Sequence, residues 1–107
     1  LAARLEIPLL QVVIKHRRRQ RGLAQYERLG ATAPSFSVAE RDLRFEVHLS
    51  ADLDTGLFLD HRNTRQLVRE HAAQKRFLNL FAYTGSFTVD AVAGGAKRSV
   101  TVDMSNT

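Results

Sequence analysis

Apolar and polar positions change rhythm along this chain, and each change marks a different kind of element. Leu43, Phe45, Val47 and Leu49 alternate with Arg44, Glu46 and His48, the period of two expected of a strand with one buried and one wet face. Phe36 and Val38 begin a similar alternation upstream, and Glu40-Arg41-Asp42 between the runs predicts the turn of an antiparallel hairpin. Nearer the start, residues 2–6 read as the end of a helix that Pro8 closes. Gln11-Val12-Val13-Ile14-Lys15 then predicts a strand from its β-branched run. Polar and small residues continue to Pro34 and predict loop.

After Gly56 the pattern is different. Leu57-Phe58-Leu59 predicts a short apolar strand, followed by a helical stretch from Asn63 to about Gln74. Asn63 suits the N-cap, with Gln66 reaching back to its amide, and Leu67, Val68, His71 and Ala72 fall on one face. The run Phe77-Leu78-Asn79-Leu80-Phe81 predicts a parallel strand covered on both sides. Ala82 to Gly85 makes a tight connection, and Ser86 to about Ala93 a short helix with Phe87, Ala91 and Val92 inward, closed by Gly94-Gly95. Ser99-Val100-Thr101-Val102 predicts a second buried strand with Asp103 at its carboxyl end. The fold class is therefore α/β. A basic strand–loop and hairpin segment, residues 1–56, precedes the first βαβ unit of a doubly wound, Rossmann-like sheet in residues 57–107.

Composition narrows the function classes. At 107 residues, 44% hydrophobic and 25% charged, the chain is one small globular domain and not a disordered segment. It has no cysteine, which excludes disulfides and cysteine-ligated zinc. The four histidines, His16, His48, His61 and His71, lack metal-ligand spacing, and no Ser/His/Asp arrangement is visible, so no metal is expected and no catalytic residue is assigned. No apolar run approaches the ~18 residues of a membrane span, and the start lacks signal-peptide order. A cytoplasmic setting without membrane partners is the expectation. The first residue is not Met, which suggests a start inside a longer protein.

The net charge of +5 is concentrated at one end. Residues 1–28 hold seven Lys or Arg against two acids, whereas the rest carries nine of each sign. Lys15, Arg17, Arg18, Arg19 and Arg21 fall within seven residues with no acid among them. That density favours contact with nucleic-acid phosphates over a merely solvated loop.

The order strand, glycine loop, helix, strand, acid places a nucleotide-type site at the carboxyl ends of the strands. Gly85 lets backbone amides approach a ligand, the helix starting at Ser86 points its N–H groups into the same space, and Asp103 can accept ribose hydroxyls. One loop glycine disfavours pyrophosphate and suits a nucleoside without phosphates, such as S-adenosylmethionine (SAM). Spacing alone is equally compatible with Gly85 turning the chain and Asp103 capping a helix.

The residues themselves go further. Leu53-Asp-Thr-Gly-Leu-Phe-Leu-Asp-His-Arg62, Phe77-Leu-Asn-Leu-Phe-Ala-Tyr-Thr-Gly-Ser-Phe87, Gly94-Gly-Ala96 and Val100-Thr-Val-Asp-Met-Ser105 resemble one family. It is that of bacterial large-subunit (23S) rRNA guanine methyltransferases of the RlmK type, half of a bifunctional enzyme and members of the class I SAM-dependent methyltransferases. Lys15 to Gly22 followed by Gln25-Tyr-Glu-Arg-Leu-Gly30 resembles the basic run before that family's hairpin. Related rRNA cytosine C5-methyltransferases share the motifs around Leu57–Arg62 and Asn79–Gly85, so that target and a non-catalytic RNA-binding module stay open as alternatives.

The resemblance implies methyl transfer to a guanine, at N7, of large-subunit rRNA, with SAM as cofactor. The SAM site would be lined by Phe81, Tyr83, Thr84, Gly85, Ser86 and Phe87. Asp103 would take the ribose, Met104 would lie beside the adenine, and Asp60 and Arg62 would sit near the methionine end. Asp60 and Arg62 also suit a plain helix anchor, and Asn79 a brace for the glycine loop. Methyltransferases of this kind need roughly seven strands, so the chain is expected to be an incomplete, inactive piece that self-associates.

Overall fold

The computed structural model describes residues 2–14, 35–49 and 55–104. Its elements are helix α1 (Ala2–Leu5), strands β1 (Ser35–Glu40) and β2 (Leu43–His48), helix α2 (Arg62–His71), strand β3 (Arg76–Leu80), helix α3 (Ser86–Ala93) and strand β4 (Arg98–Val102). Among the described residues they make two small sheets, an antiparallel β1–β2 hairpin and a parallel β3–β4 pair. The hairpin and the βαβ unit are thus both present. The mixed α/β architecture is that of an incomplete Rossmann-like sheet.

The hairpin forms where the alternation predicts it. Glu40 pairs with Leu43 across a two-residue turn, and Phe36 faces Val47 while Val38 faces Phe45. Phe45 and Val47 are buried with Leu57 beneath them, and Val38 and Leu43 pack at the edge. Leu57 therefore joins the hairpin core instead of starting a strand. Residues 57–58 are irregular and Leu59–His61 is a 3-10 turn, because Leu57 finds its apolar partners in the hairpin and not beside β3.

The strand expected at 11–15 is also corrected. Leu9–Gln11 is a 3-10 turn, and Val12–Ile14 pair with no other described strand. β-branched residues favour extended backbone, but a strand needs a neighbour to take its hydrogen bonds. The basic run at Lys15–Arg21 lies outside the described residues.

In α2 the inward face differs from the expected one. Arg65 and Ala72 are buried, Val68 is half-buried, and Leu67 and His71 are exposed. Residue 61 takes the N-cap position with no side-chain cap bond, and Gln66 donates to Glu70 Oε1 at 2.8 Å instead of reaching back to Asn63. The helix ends at His71, short of Gln74, which adopts a positive φ.

What turns the helix is Arg65. Its Nε and Nη2 donate to the two carboxylate oxygens of Glu40 at 2.8 and 2.7 Å, and Nη1 donates to the Phe58 carbonyl at 2.9 Å. The guanidinium lies 5.9 Å from the centroids of both Phe45 and Phe87, within cation–π range. A second pair, Arg69 to Asp42 at 2.5 and 2.8 Å, ties the same helix to the hairpin turn. With Arg65 turned inward its donors are all paired and the buried Glu40 carboxylate is not left without a counter-charge, which outweighs leaving Leu67 exposed.

Helix α3 packs on α2 and on one face of β3–β4. Ala91 is fully buried, Phe87 half-buried, and Val92 is 55% exposed with Asp90 taking the inward position. Its end is a Schellman motif: Gly95 N–H reaches Val92 O at 3.0 Å and Ala96 N–H reaches Ala91 O at 3.0 Å. Gly94 lies where α2 and α3 touch, and a methyl there would overlap the Arg69 carbonyl. Among the described residues β3 is covered on one side only. Phe77 and Asn79 face α3, whereas Leu78, Leu80, Val100 and Val102 form a bare apolar face.

Candidate SAM site

The parallel register of β3 and β4 brings their carboxyl ends together, with Leu80 beside Val102. The chain leaving β3 stays close: Ala82 N–H donates to Val102 O at 3.1 Å, and Gly85 N–H returns to Ala82 O at 2.8 Å. Within this five-residue loop Phe81, Tyr83 and Gly85 all have left-handed φ, at 56°, 55° and 79°. Two of these are not glycine, a concentration of backbone strain of the kind that clusters at ligand sites. Gly85 is the N-cap of α3; its carbonyl takes the Thr88 and Val89 N–H groups at 2.9 and 3.2 Å, and the Ser86 and Phe87 amides at the helix start open beside the loop.

Asp103 stands at the same edge, and its Oδ2 accepts the Tyr83 N–H at 2.6 Å. The loop and the acid expected to share a ligand are therefore in direct contact. A carboxylate offers about four acceptor positions, and a loop amide on one of them orients the group.

Beneath the loop runs a polar chain. Asn79 Nδ2 donates to Thr88 Oγ1 at 3.0 Å, and Thr88 Oγ1 shares a 2.8 Å hydrogen bond with Thr101 Oγ1. The buried amide thus ties β3, the first turn of α3 and β4 together. It braces the glycine loop through Thr88. Thr84 Oγ1 donates to the Gly56 carbonyl at 2.6 Å and fastens the loop to the segment behind the hairpin.

The remaining candidates surround this edge. Ser86 opens α3, Phe81 is 87% exposed and Met104 65% exposed. Asp60 lies in the 3-10 turn, and Arg62 starts α2 with its carbonyl accepting from Arg41 Nη1 at 3.4 Å. Two residues escaped the sequence reading, Phe58 and His61. Phe58 lies 5.3 Å from the Tyr83 ring and His61 5.8 Å from the Phe87 ring, so together they wall one side of the loop. Their signal was their place in the Leu53–Arg62 motif and aromatic character just before α2. Among the described residues no group of His, Asp or Glu could hold a metal ion, and no helix is long and apolar enough to cross a membrane.

A left-handed glycine loop, a helix N-terminus and a strand-end acid on one edge of a parallel sheet define a nucleoside-binding α/β protein, and the residues present fit SAM. The chain belongs to the S-adenosylmethionine-dependent methyltransferase family, whose model matches residues 9–107. It is 60% identical over 97 residues to the ribosomal RNA large subunit methyltransferase K of Neisseria meningitidis serogroup B, covering 91% of this chain and 27% of that protein. It is 55% identical over 103 residues to the K/L methyltransferase of Allochromatium vinosum, covering 96% of this chain and 14% of that one. Among solved structures, a chain described as a SAM-dependent methyltransferase from Streptococcus mutans superposes with a TM-score of 0.65 at 40% identity, over 72% of this chain and 21% of its own. A second, crystallised with S-adenosylhomocysteine (SAH), matches equally well. The chain thus spans about a seventh to a quarter of the length of the curated relatives it matches.

Proposed function

We propose that this chain supplies the first half of the SAM site of a methyltransferase acting on large-subunit rRNA in the cytoplasm, with a guanine N7 as the methyl acceptor. The observation that carries the reading is the Tyr83–Asp103 contact, 2.6 Å between the left-handed loop and the strand-end acid. It joins the two features a nucleoside needs, and relatives named as rRNA methyltransferases are 60% and 55% identical to this chain over 97 and 103 residues.

In this reading Asp103 takes the ribose hydroxyls and Met104 lies against the adenine. Phe81, Tyr83, Thr84, Gly85, Ser86 and Phe87 enclose the rest of the cofactor, and Asp60 and Arg62 face its methionine end. SAM supplies an electrophilic methyl on a sulfonium. A guanine N7 is itself the nucleophile, so holding it in line is the protein's main task. Lys15, Arg17, Arg18, Arg19 and Arg21 hold the RNA backbone. Residues 1–56 then present the basic segment and hairpin, and residues 57–107 the cofactor half. Alone, the 107-residue chain is inactive and self-associates through its bare sheet face.

The test is methyl transfer from radiolabelled SAM to a large-subunit rRNA transcript by the natural protein that carries this sequence, with the product nucleoside identified. Label in 7-methylguanosine is expected. Label in 5-methylcytidine would overturn the guanine assignment, and SAH that does not bind the protein in calorimetry would overturn the cofactor site.

A further inference from the structure

From residue 29 onward the chain carries equal numbers of acids and bases, so its composition announces no charged surface. The fold sorts those charges unevenly. Glu40 and Asp42 pair with Arg65 and Arg69, and other cations are gathered together away from any acid among the described residues. Four of them, Lys75, Arg76, Lys97 and Arg98, meet where β3 and β4 begin. Arg76 and Arg98 are direct partners in the parallel register, and Lys97 N–H donates to the Lys75 carbonyl at 2.8 Å. All four side chains are exposed. Among the described residues, none of the four makes a side-chain hydrogen bond or ion pair. An open depression of about 380 Å³ lies between Arg76, Lys97 and Arg98.

Neighbouring strands are ~4.8 Å apart, and like charges directly opposite one another destabilise a sheet. The quartet therefore carries a local repulsion that a bound anion would offset. Arginine forks match phosphate oxygens in bidentate fashion, and lysines add mobile point charges. Among the described residues, no exposed aromatic side chain lines the depression to stack on a base. The chemistry is that of backbone contact without sequence readout.

We propose that Lys75, Arg76, Lys97 and Arg98 form a second nucleic-acid contact that grips the phosphodiester backbone of RNA at the end of the sheet opposite the cofactor loop. The proposal rests on reading the protein as acting on RNA. Four residue steps at ~3.3 Å set this lip roughly 13 Å from the loop, so it anchors the polymer away from the reacting base. A second basic cluster, separate from Lys15–Arg21, suits an extended polyanion better than a short acidic peptide.

Two paired variants of the natural protein, Lys75→Gln with Arg76→Gln and Lys97→Gln with Arg98→Gln, test it by fluorescence anisotropy on poly(U) RNA across a salt series. Each removes two phosphate contacts, so each should lower the slope of log affinity against log salt by about 1.4, with SAH affinity unchanged. A triple Arg17→Ala, Arg18→Ala, Arg19→Ala variant separates this proposal from the reading beneath it. If that triple variant loses slope and both paired variants keep it, the protein binds RNA but not through this lip. If the wild type shows no salt-dependent poly(U) binding, the RNA reading falls and takes the proposal with it. Binding of polyglutamate that depends on the lip, without a slope change on RNA, would assign the surface to an acidic protein and overturn the proposal.

Discussion

Arg65 and Glu40 lie 25 positions apart in the chain, yet both side chains are buried and joined by two hydrogen bonds at 2.8 and 2.7 Å. The pair fastens α2 to the hairpin, and through Phe58 and Phe87 it reaches the wall of the cofactor loop. Glu40's carboxyl is held below its usual range, first by the hydrogen bonds from Arg65 and then by that residue's charge. Removing one partner strands the other. Arg65→Ala should destabilise the protein by about 3–5 kcal/mol, read in urea unfolding, and Arg65→Lys should recover little because a lysine cannot bond both oxygens at once. A loss under ~1 kcal/mol for Arg65→Ala would mean the pair is screened by water.

Asp90 has the opposite tendency. It is 1% exposed, its Oδ2 has no hydrogen-bond partner among the described residues, and burial raises its pKa, with Glu40 adding to the rise. A carboxyl whose folded pKa exceeds its unfolded value binds its proton more tightly in the native state. Its ionisation therefore opposes folding above the folded pKa, and the penalty disappears as pH falls through that value. Asp90→Asn should raise the melting temperature at pH 7 and narrow the gap to wild type near pH 4. A variant less stable than wild type at pH 7 would show that the ionised form is paired.

Asp42 gives the acid limb. Its carboxyl is held down to about 2, mainly by hydrogen bonds from Arg69 and then by its own backbone amide. A depressed folded pKa contributes stability above the unfolded value near 4, and that stability is lost as pH drops through about 2. Asp42→Asn should make the loss of stability between those limits shallower than in wild type, with the contributions of Glu40 and Asp90 remaining. An unchanged acid limb would place the titration elsewhere.

On the proposed reading, Asp103→Ala would remove hydrogen bonds to the ribose, each worth ~1.5–3 kcal/mol when charge-assisted. It also frees the Tyr83 amide that the carboxylate holds at 2.6 Å. SAH affinity of the natural protein should fall at least about tenfold by calorimetry. Equal affinity in the variant would remove Asp103 from the site.

The isolated 107-residue chain should not run as a monomer. Leu78, Leu80, Val100 and Val102 are 59%, 55%, 44% and 48% exposed on one face of the β3–β4 pair. Bare apolar faces and open strand edges invite a second copy. Light scattering after size exclusion should give a dimer or larger species, and Leu80→Lys with Val100→Lys should shift it toward monomer. A compact monomer from the unaltered chain would refute the expectation.

Local rhythm alone placed most elements. The hairpin from 36 to 48, the strand from 76 and the helix after Gly85 were legible because alternation, apolar runs and glycines act within a few residues. The loop–acid spacing was legible too, since strand and helix lengths fix where Asp103 must arrive relative to Gly85. Tertiary structure decided what depends on partners distant in sequence. Val12–Ile14 are not a strand because no described neighbour takes their hydrogen bonds. Leu57 left the sheet for the hairpin core. In α2 the inward face turned from Leu67 to Arg65, because Glu40, 25 positions away, satisfies the arginine's donors together with the Phe58 carbonyl, and a buried unpaired charge outweighs one exposed leucine. The cationic lip at Arg76 and Arg98 arose the same way: strand register, not sequence proximity, sets which charges become neighbours.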